Sequence, residues 1–242
     1  MGRRKSKGEW KTYGGVFDNY TIANLKKLCA QGFYEEIEGA LALGKEANTF
    51  IARNKDDELI LIKIYRLENC DFNKMYSYII QDPRYEVLKG NRRRIIFEWT
   101  KREYRNLQMA RQCIRVPTPY AFRDTVLIME YIGDKEGPAP QLKNIVLDDP
   151  QAFFDQTIEN VRLLYKEGLV HGDLSAFNIL VQDQQPVFID FSQGTTTKSQ
   201  QAHELLIRDL NNVVIFFKKQ GIEADAKEIF KEITGKEPPE II

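Results

Sequence analysis

The stretch LVHGDLSAFNILVQDQQPVFIDF, residues 169–191, constrains the fold more than any other part of the chain. It reads as two short apolar strands whose ends carry Asp173, Asn178 and Asp190. Polar and charged groups next to a core are costly unless a partner satisfies them. We therefore expect these oxygen-bearing side chains to lie near the ends of the two strands and to meet a polar partner there.

The overall composition allows one large domain or two small lobes. The chain has 242 residues, of which 43% are hydrophobic and 29% charged, as in ordinary globular proteins. Lys plus Arg and Asp plus Glu balance at 35 each, so the net charge gives no general attraction to nucleic acid or membrane. Cys29, Cys70 and Cys113 are scattered, which indicates neither a disulfide framework nor a zinc site.

No secretory signal and no long apolar run is evident in the sequence, and the scattered cysteines suit a reducing compartment. We therefore expect a cytoplasmic protein without membrane contact. Two short basic segments stand out, MGRRKSKGEWK at 1–11 and GNRRR at 90–94. Each is interpreted either as a solvated segment or as a contact for a phosphate-rich partner. The polar residues 68–94 are expected to be the most mobile part of the chain.

Hydrophobic periodicity predicts strands in the first half of the chain and helices in the second. Strands are predicted at 58–66 and 125–132, and helices at 18–32, 95–113, 150–167, 201–219 and 222–234. This order favours an α+β protein in two lobes that meet near GDKEGPAP. The predicted division is a basic N-terminal extension at 1–15, an N-terminal lobe at 16–133 and a C-terminal lobe at 134–242.

The polar groups of residues 169–191 have the chemistry of a phosphate and metal site. Asn178 and Asp190 carry hard oxygen ligands, which suit Mg²⁺. Asp173 is a candidate base or orienting group for a hydroxyl or water. An Asp after an apolar strand is also a common turn residue. The combined spacing HxDxxxxN followed by IDF nevertheless matches the catalytic loop and metal-binding segment of protein-kinase-like enzymes.

A second observation comes from upstream. Lys63 alternates with Leu59 and Leu61 on one face of a predicted strand. Glu103 lies on an apolar helical stripe with Trp99, where an unpaired carboxylate would be costly. We therefore predict that Glu103 pairs with Lys63, as in the Lys–Glu pair of kinases. The alternative is an exposed Glu103 and a Lys63 whose ammonium reaches solvent.

Two weaker features bear on nucleotide binding. GALALGKEAN places Gly39, Gly44 and Lys45 between a predicted helix and a strand, where backbone amides and Lys45 could reach phosphates, or where an ordinary turn could lie. MEYIGDKEG resembles a kinase hinge, with backbone groups of Glu130 and Ile132 offered to an adenine edge. Other strands that run into a loop look similar.

Taken together, these motifs resemble the RIO family of atypical protein kinases. The segments that carry the resemblance are GKEAN (44–48), LIKIY (61–65), KREYRNL (101–107), MEYIG (129–133), LVHGDLSAFNILV (169–181) and VFIDFSQG (187–194). VFDNYTIANLKKLCAQGFYEEIEGALALGKEAN with RDLNNVVIFF is most similar to the first RIO subfamily, in a short, archaeal-like form. The chain departs from the family at Ala42 and Leu43, where a Ser-Thr pair is usual.

The resemblance implies a truncated two-lobe protein-kinase-like fold with an antiparallel N-terminal sheet, one main helix beside it and a mostly helical C-terminal lobe. It implies ATP with Mg²⁺ or Mn²⁺, Lys63 on the phosphates with Glu103 as its partner, and Asp173 as catalytic base. Asn178 and Asp190 are implied as metal ligands, and Asp190 also as a phosphoryl acceptor.

Three functions remain open at this point. The first is a serine/threonine kinase in maturation of the small ribosomal subunit, with rRNA and ribosomal proteins of the precursor as partners. The second is an assembly switch driven by ATP hydrolysis through an aspartyl-phosphate intermediate, with little kinase activity toward other proteins. The third is a small-molecule phosphotransferase, since HGD…N also occurs in aminoglycoside-type kinases.

Overall fold

The computed structural model describes residues 17–66, 72–80, 82, 84 and 92–239. The predicted basic extension at 1–15 lies outside the described residues, as do residues 68–71, 81, 83 and 85–91 of the stretch 68–94 that is expected to be mobile. Within the described part, no helix is both long and apolar enough to cross a bilayer.

The first helix, α1, spans Asn19–Ala30, close to the predicted 18–32. Asp18 caps its N-terminus, because the Asp18 carboxylate accepts a 2.6 Å hydrogen bond from the Thr21 amide. Leu25 and Leu28 are buried against the sheet that follows. The helix therefore closes one face of the N-terminal part of the molecule.

Five antiparallel strands form the N-terminal sheet in the order β1-β2-β3-β5-β4. Their bounds are β1 Glu36–Leu43, β2 Ala47–Arg53, β3 Leu59–Tyr65, β4 Pro119–Arg123 and β5 Val126–Glu130. In β3 the alternation predicted from the sequence is present. Ile60, Ile62 and Ile64 pack into the core with α1, and the alternate residues face the other side of the sheet.

Strand β1 corrects one expectation. The sequence placed GALALGKEAN between a helix and a strand, whereas Lys45 lies in a tight connection between β1 and β2. Seven of the eight β1 residues are exposed. An exposed strand with alanines and Gly39 lacks the apolar alternation that identifies a strand from sequence.

Two helices lie beside the sheet. Helix α2 spans Phe72–Ile80, and α3 spans Arg92–Ala110, three residues earlier at each end than the predicted 95–113. Met75 and Ile79 of α2 pack with Ile96 and Trp99 of α3 in a small apolar cluster. This cluster seats α3, the main helix of the N-terminal part.

The rest of the chain is mainly helical, as predicted. Its elements are α4 Pro150–Lys166, β6 Leu169–Val170, β7 Ile179–Gln182, β8 Gln185–Phe188, β9 Thr195–Thr196, α5 Ala202–Lys218 and α6 Ala226–Thr234. One large core joins α4, α5 and α6 to the short strands. The predicted helix at 222–234 begins later, at Ala226, because Asp225 caps it through the Lys227 amide at 2.7 Å. The α+β class predicted from the sequence is confirmed.

A folded linker connects β5 to the helical part. Gly133 has a φ of +151° and forms a β-bridge with Pro138. The Asp134 carboxylate accepts hydrogen bonds from the Glu136 and Gly137 amides at 2.8 and 3.1 Å. The linker is thus closed on itself. The domain boundaries at 15/16 and 133/134 stay predictions.

Candidate active site

A cavity of about 620 Å³ lies between the N-terminal sheet and the helical part. Its sheet side carries Leu41, Ala42, Thr49, Leu61, Lys63 and Tyr65, and its other side carries Gln141, Asn144, Asn178, Leu180, Ile189 and Asp190. The sheet side is formed by the faces of β1, β2 and β3 that do not pack on α1. Apolar walls with a few convergent charged groups are typical of a small-molecule site.

Lys63 and Glu103 meet at the inner end of this cavity. The Lys63 Nζ lies 2.8 Å from Glu103 Oε1, and both side chains are nearly buried, at 10% and 1% exposure. Strand β3 directs Lys63 to the cavity, and Glu103 shares the buried face of α3 with Trp99. The structure therefore forms the pair expected from the apolar stripe of α3.

Two further groups join this pair. Asp190 Oδ1 lies 3.0 Å from Lys63 Nζ, and the Tyr65 hydroxyl donates a hydrogen bond to Glu103 Oε2. Lys63 thus lies between two carboxylates. Partial burial alone would raise the pKa of Asp190, but the Lys63 charge holds it down at about 2. Burial likewise opposes the charge of Lys63, yet Asp190 and Glu103 raise the Lys63 pKa, so Lys63 and Asp190 are charged at neutral pH. Burial raises the pKa of Glu103, and the neighbouring Lys63 charge opposes that rise.

Asp190 has an unusual backbone. It follows β8 and has φ +61° and ψ 67°, the left-handed region that a non-glycine residue adopts at some cost. The residues after it are held by α3, since the Asn106 Nδ2 donates to the carbonyls of Phe191 and Gly194 at 2.8 and 2.7 Å. These bonds fix the segment that aims the Asp190 carboxylate at Lys63.

Asp173 and Asn178 lie together in the loop between β6 and β7. The Asn178 Nδ2 donates to the Asp173 backbone carbonyl at 2.8 Å and to its carboxylate at 3.3 Å. With its amide nitrogen engaged, Asn178 presents its Oδ1 as an acceptor. Asn178 and Asp190 both line the cavity. One carboxylate and one amide oxygen beside phosphates is a donor set that suits Mg²⁺, so the residues present fit the implied cation.

His171 connects this loop to the Asp190 segment. Its Nε2 lies 3.0 Å from the Ile189 carbonyl, and its Nδ1 accepts a hydrogen bond from the Asp173 amide at 3.3 Å. Both contacts are met by a neutral ring that carries its proton on Nε2. Burial lowers the pKa of His171 to about 4, against the weaker opposing effects of Ile189 and Asp190. His171 is therefore a neutral residue that connects the two segments by hydrogen bonds, and not an acid at neutral pH.

The buried His171 should make stability depend on pH. Its folded pKa of about 4 lies below the unfolded value of 6.5, so its contribution is complete above pH ~6.5 and is lost as the pH falls toward ~4. The loss amounts to roughly 3 kcal/mol. We expect urea unfolding at several pH values to show this difference between the parent and His171→Asn.

The comparison with His171→Asn is needed because Asp209 acts in the opposite direction. Burial raises the pKa of Asp209 to about 7, so its contribution grows as the pH falls below that value. Asp209 is present in both the parent and His171→Asn, so its contribution cancels when their free energies of unfolding are subtracted. His203→Asn changes the other histidine, whose pKa partial burial also lowers, and it should flatten the pH dependence less than His171→Asn because His203 is less enclosed. Equal slopes for the parent and His171→Asn would contradict the assignment.

Helix α5 holds the loop between β6 and β7, which carries Asp173, through hydrogen bonds to its backbone. Asp209 accepts hydrogen bonds from the Gly172 and Leu174 amides at 2.7 and 2.8 Å, and the Asn212 Nδ2 donates to the Leu174 carbonyl at 3.0 Å. The neighbouring Arg208 donates to the Gly172 carbonyl. These contacts fix the backbone on either side of Asp173.

Glu130 and Ile132, the candidates for contact with an adenine edge, differ in which backbone group is left for a ligand. The Glu130 side chain forms a 2.5 Å ion pair with Arg115 and accepts a hydrogen bond from the Thr118 amide. The Glu130 amide donates to the Thr118 carbonyl at 2.8 Å, which leaves the Glu130 carbonyl as the group it can offer. The Ile132 carbonyl accepts from the Ala139 amide at 3.0 Å, which leaves its amide as the group it can offer. Both residues line the cavity.

Lys45 does not join the other site residues in the structure. Its side chain is exposed in the connection between β1 and β2 and is not part of the cavity lining. A role for Lys45 on phosphates stays a prediction. Gly44 does line the cavity, and an added Cβ there would come within 2.7 Å of the Ala47 carbonyl oxygen. The backbone thus makes a close turn at Gly44 that a side chain would disrupt.

Sequence reasoning missed several residues of the site. Tyr65 is two positions after Lys63 and therefore on the same face of β3, a signal that was available. Asp209 is a carboxylate on the apolar face of α5, between Leu205, Leu206 and Val213, which is the same argument that identified Glu103. Arg102 and Asn106 gave no comparable signal, because their partners are backbone carbonyls far along the chain.

Comparisons with known proteins agree with this geometry. The family model described as "RIO domain" matches residues 48–229. The chain is 43% identical over 97% of its length to the RIO-type serine/threonine-protein kinase Rio1 of Methanocaldococcus jannaschii, of which it covers 81%. It is 36% identical over 97% of its length to the protein of that name from Haloferax volcanii, again covering 81%.

Solved structures show the same fold. The Rio2 kinase from Chaetomium thermophilum, in a complex with ADP, Mg²⁺ and phosphoaspartate, superposes with a TM-score of 0.71 at 19% identity, covering 92% of this chain and 66% of that one. A second structure of that kinase gives a TM-score of 0.72 at 20% identity, with 92% and 68% covered. The predicted two-lobe kinase-like fold is confirmed. With a matched family model and relatives aligned over nearly the whole chain, the protein belongs to the RIO family.

Proposed function

We propose that the protein is an ATP- and Mg²⁺-dependent serine/threonine kinase of the RIO type. The observation that carries the proposal is Lys63 placed between Glu103 and Asp190 at the wall of a 620 Å³ cavity. A fixed cation, a metal-binding carboxylate and a nearby candidate base are the parts that phosphoryl transfer needs. The kinase names of the archaeal relatives support a protein acceptor over a small-molecule one.

In this proposal the chain's own residues position the nucleotide. Glu103 and Tyr65 hold the Lys63 ammonium in place for the phosphates of ATP. The backbone of Glu130 and the amide of Ile132 contact the adenine edge. Asn178 and Asp190 hold Mg²⁺ (or Mn²⁺), which when bound neutralises charge on the phosphates.

Asp173 is proposed as the catalytic base. It is partly exposed and is oriented by Asn178, which lines the cavity. The acceptor hydroxyl oxygen would attack the γ-phosphorus as ADP leaves, and Asp173 would take the hydroxyl proton. His171 and Asp209 hold the loop that carries Asp173 but do not themselves reach the reacting atoms.

A second function is an ATPase-driven assembly switch. The Asp190 carboxylate is ionised, 39% exposed and at the cavity wall, as a nucleophile must be. Its oxygen would attack the γ-phosphorus, release ADP and form an aspartyl-phosphate, which water would then hydrolyse. Phosphoaspartate occurs in the Rio2 kinase complex from Chaetomium thermophilum. This supports the proposal by analogy.

Single-turnover experiments with γ-labelled ATP should separate the two functions. Label that appears on Asp190 and chases to free phosphate is expected for the switch, whereas label that accumulates on serine of a ribosomal protein is expected for the kinase. Asp190→Asn should abolish the label at position 190, measured after the background is subtracted. Label on neither group, with ATP consumed, would contradict both.

The partner is proposed to be the precursor of the small ribosomal subunit, with its rRNA and ribosomal proteins. Arg93 and Arg94 at the start of α3 are exposed and suit phosphate contacts. A cytoplasmic location belongs to the same proposal, and cell fractionation would test it. Co-sedimentation with pre-ribosomal particles that weakens with added salt is the corresponding measurement.

A further inference from the structure

A buried ion cluster lies next to the active site, and two of its four members, Asp82 and Arg84, have no part in the mechanism described above. Its members are Asp82 and Arg84, which follow helix α2, and Arg102 and Asn106 of α3. Asp82 is 1% exposed and Arg102 is 0% exposed. Charged groups this deeply buried need partners in good geometry.

Asp82 supplies that partner for two cations. Its carboxylate accepts a side-on pair of hydrogen bonds from Arg84, with Arg84 Nε to Oδ1 at 2.9 Å and Arg84 Nη2 to Oδ2 at 2.6 Å. The same carboxylate lies 3.7 Å from Arg102 Nη2. Without the Asp82 charge, the partly exposed Arg84 and the buried Arg102 would both lose the carboxylate that they share.

The cluster is hydrogen-bonded to the backbone of the segment that follows Asp190. Arg102 Nε donates to the Gly194 carbonyl at 3.0 Å, and its Nη2 donates to the Gln193 carbonyl at 3.3 Å. Arg84 Nη1 donates to Asn106 Oδ1 at 2.9 Å, which turns the Asn106 Nδ2 toward Phe191 and Gly194. An added Cβ at Gly194 would lie 2.8 Å from the Asn106 amide nitrogen, so the contact is close.

The geometry connects these contacts to Lys63 from both sides. Arg102 is adjacent in sequence to Glu103, so a shift of Arg102 moves the carboxylate on one side of Lys63. The segment gripped by Arg102 and Asn106 begins directly after Asp190, the carboxylate on the other side. Asp82 and Arg84 thus determine how α3 sits against the segment that carries Asp190.

We infer that Asp82 and Arg84 are positioning residues for phosphoryl transfer. They hold Arg102 and Asn106 against residues 191–194, and thereby keep Glu103 and Asp190 on the same lysine. They touch neither the cavity nor a reacting atom. The inference rests on the roles proposed for Lys63, Glu103 and Asp190.

The test is Asp82→Asn, which keeps the shape of the side chain and removes its charge. We expect kcat for ATP turnover to fall by about 10- to 100-fold, the range expected for reacting groups displaced by about 1 Å, with KM for ATP changed by less than about threefold. Asp124→Asn is the matched control, because it removes a carboxylate outside the cavity that accepts a hydrogen bond from the Tyr20 hydroxyl. It should leave kcat unchanged.

A spectroscopic measurement separates positioning from simple stabilisation. Trp99 lies one turn before Glu103 in α3, is 2% exposed and stacks near Arg102, with 5.4 Å from the guanidinium to its ring. The chain has two tryptophans, so Trp10→Phe leaves Trp99 as the sole reporter. We expect Asp82→Asn to change native Trp99 emission far below the unfolding temperature, in parallel with kcat.

Three outcomes decide the inference. A kcat within about twofold of the parent, with unchanged Trp99 emission, would overturn it even if the unfolding temperature falls. If Asp82→Asn does not fold, Arg84→Gln is the second variant, because it changes a partly exposed side chain. Arg84→Gln should reproduce the loss of kcat. A normal kcat in Arg84→Gln would also overturn the inference. Lys63→Ala, measured alongside, must lose turnover. If it does not, the proposed function fails instead.

Discussion

Lys63→Ala and Asp190→Ala should each reduce ATP turnover by about three orders of magnitude or more, while the fold persists. Lys63 is proposed as the fixed cation of the cavity and Asp190 as its metal-binding carboxylate, so we expect each to act in the transition state and not only in substrate binding. Steady-state kinetics with purified variants is the measurement, with circular dichroism to show that the helices and sheet remain.

A control for the backbone is available within the chain. Asp190 has φ +61°, and Asp183, in the exposed turn between β7 and β8, has φ +52°. Asp183→Ala places an alanine in the left-handed backbone region at a similar cost in conformational free energy, but at a position outside the cavity. It should keep normal turnover. Near-normal turnover in Lys63→Ala or in Asp190→Ala would refute the site assignment.

Glu103→Ala should lower turnover by about 10- to 100-fold, less than the loss of Lys63 itself. Without Glu103, the Lys63 ammonium keeps Asp190 as its near partner and is drawn toward the carboxylate that should hold the metal. Breaking a buried pair also destabilises a protein by about 3–5 kcal/mol. Turnover measured well below the unfolding temperature separates these two effects.

Tyr65→Phe serves as the companion variant, since it removes the hydrogen bonds of the Tyr65 hydroxyl to Glu103 and Ser192 and leaves the Glu103 carboxylate in place. We expect a smaller loss of turnover than in Glu103→Ala. If Glu103→Ala lowers only the unfolding temperature and leaves kcat intact, Glu103 is a structural residue and its role in holding Lys63 is wrong.

The parts of this fold that sequence reasoning predicted are those with a clear period. Strand β3 alternates, and α3, α4 and α5 each have an apolar face, so their type and approximate bounds follow from local pattern. The Lys63–Glu103 pair was predictable because a carboxylate on an apolar stripe needs a partner and a lysine on an apolar strand offers one.

Other features depend on contacts between distant segments. Arg102 of the buried ion cluster donates to the backbone carbonyls of Gln193 and Gly194, and no periodicity marks a side chain that bonds to a remote carbonyl. Strand β1 is formed because β2 offers it a hydrogen-bonding edge, although its own composition is weakly strand-forming. The left-handed backbone of Asp190 likewise depends on the tertiary contacts of the segment after it.

The closed linker after β5 has a consequence for the mechanics of the cleft. A Cβ added at Gly133 would overlap the Gly137 carbonyl oxygen, and the Val181 amide donates to the Pro140 carbonyl at 2.9 Å, which connects the linker to β7. Few backbone torsions in this connection are left to rotate. The two walls of the cavity therefore keep a fixed spacing at the linker, and we expect nucleotide entry and exit to depend on bending of the exposed β1–β2 hairpin at the opposite rim.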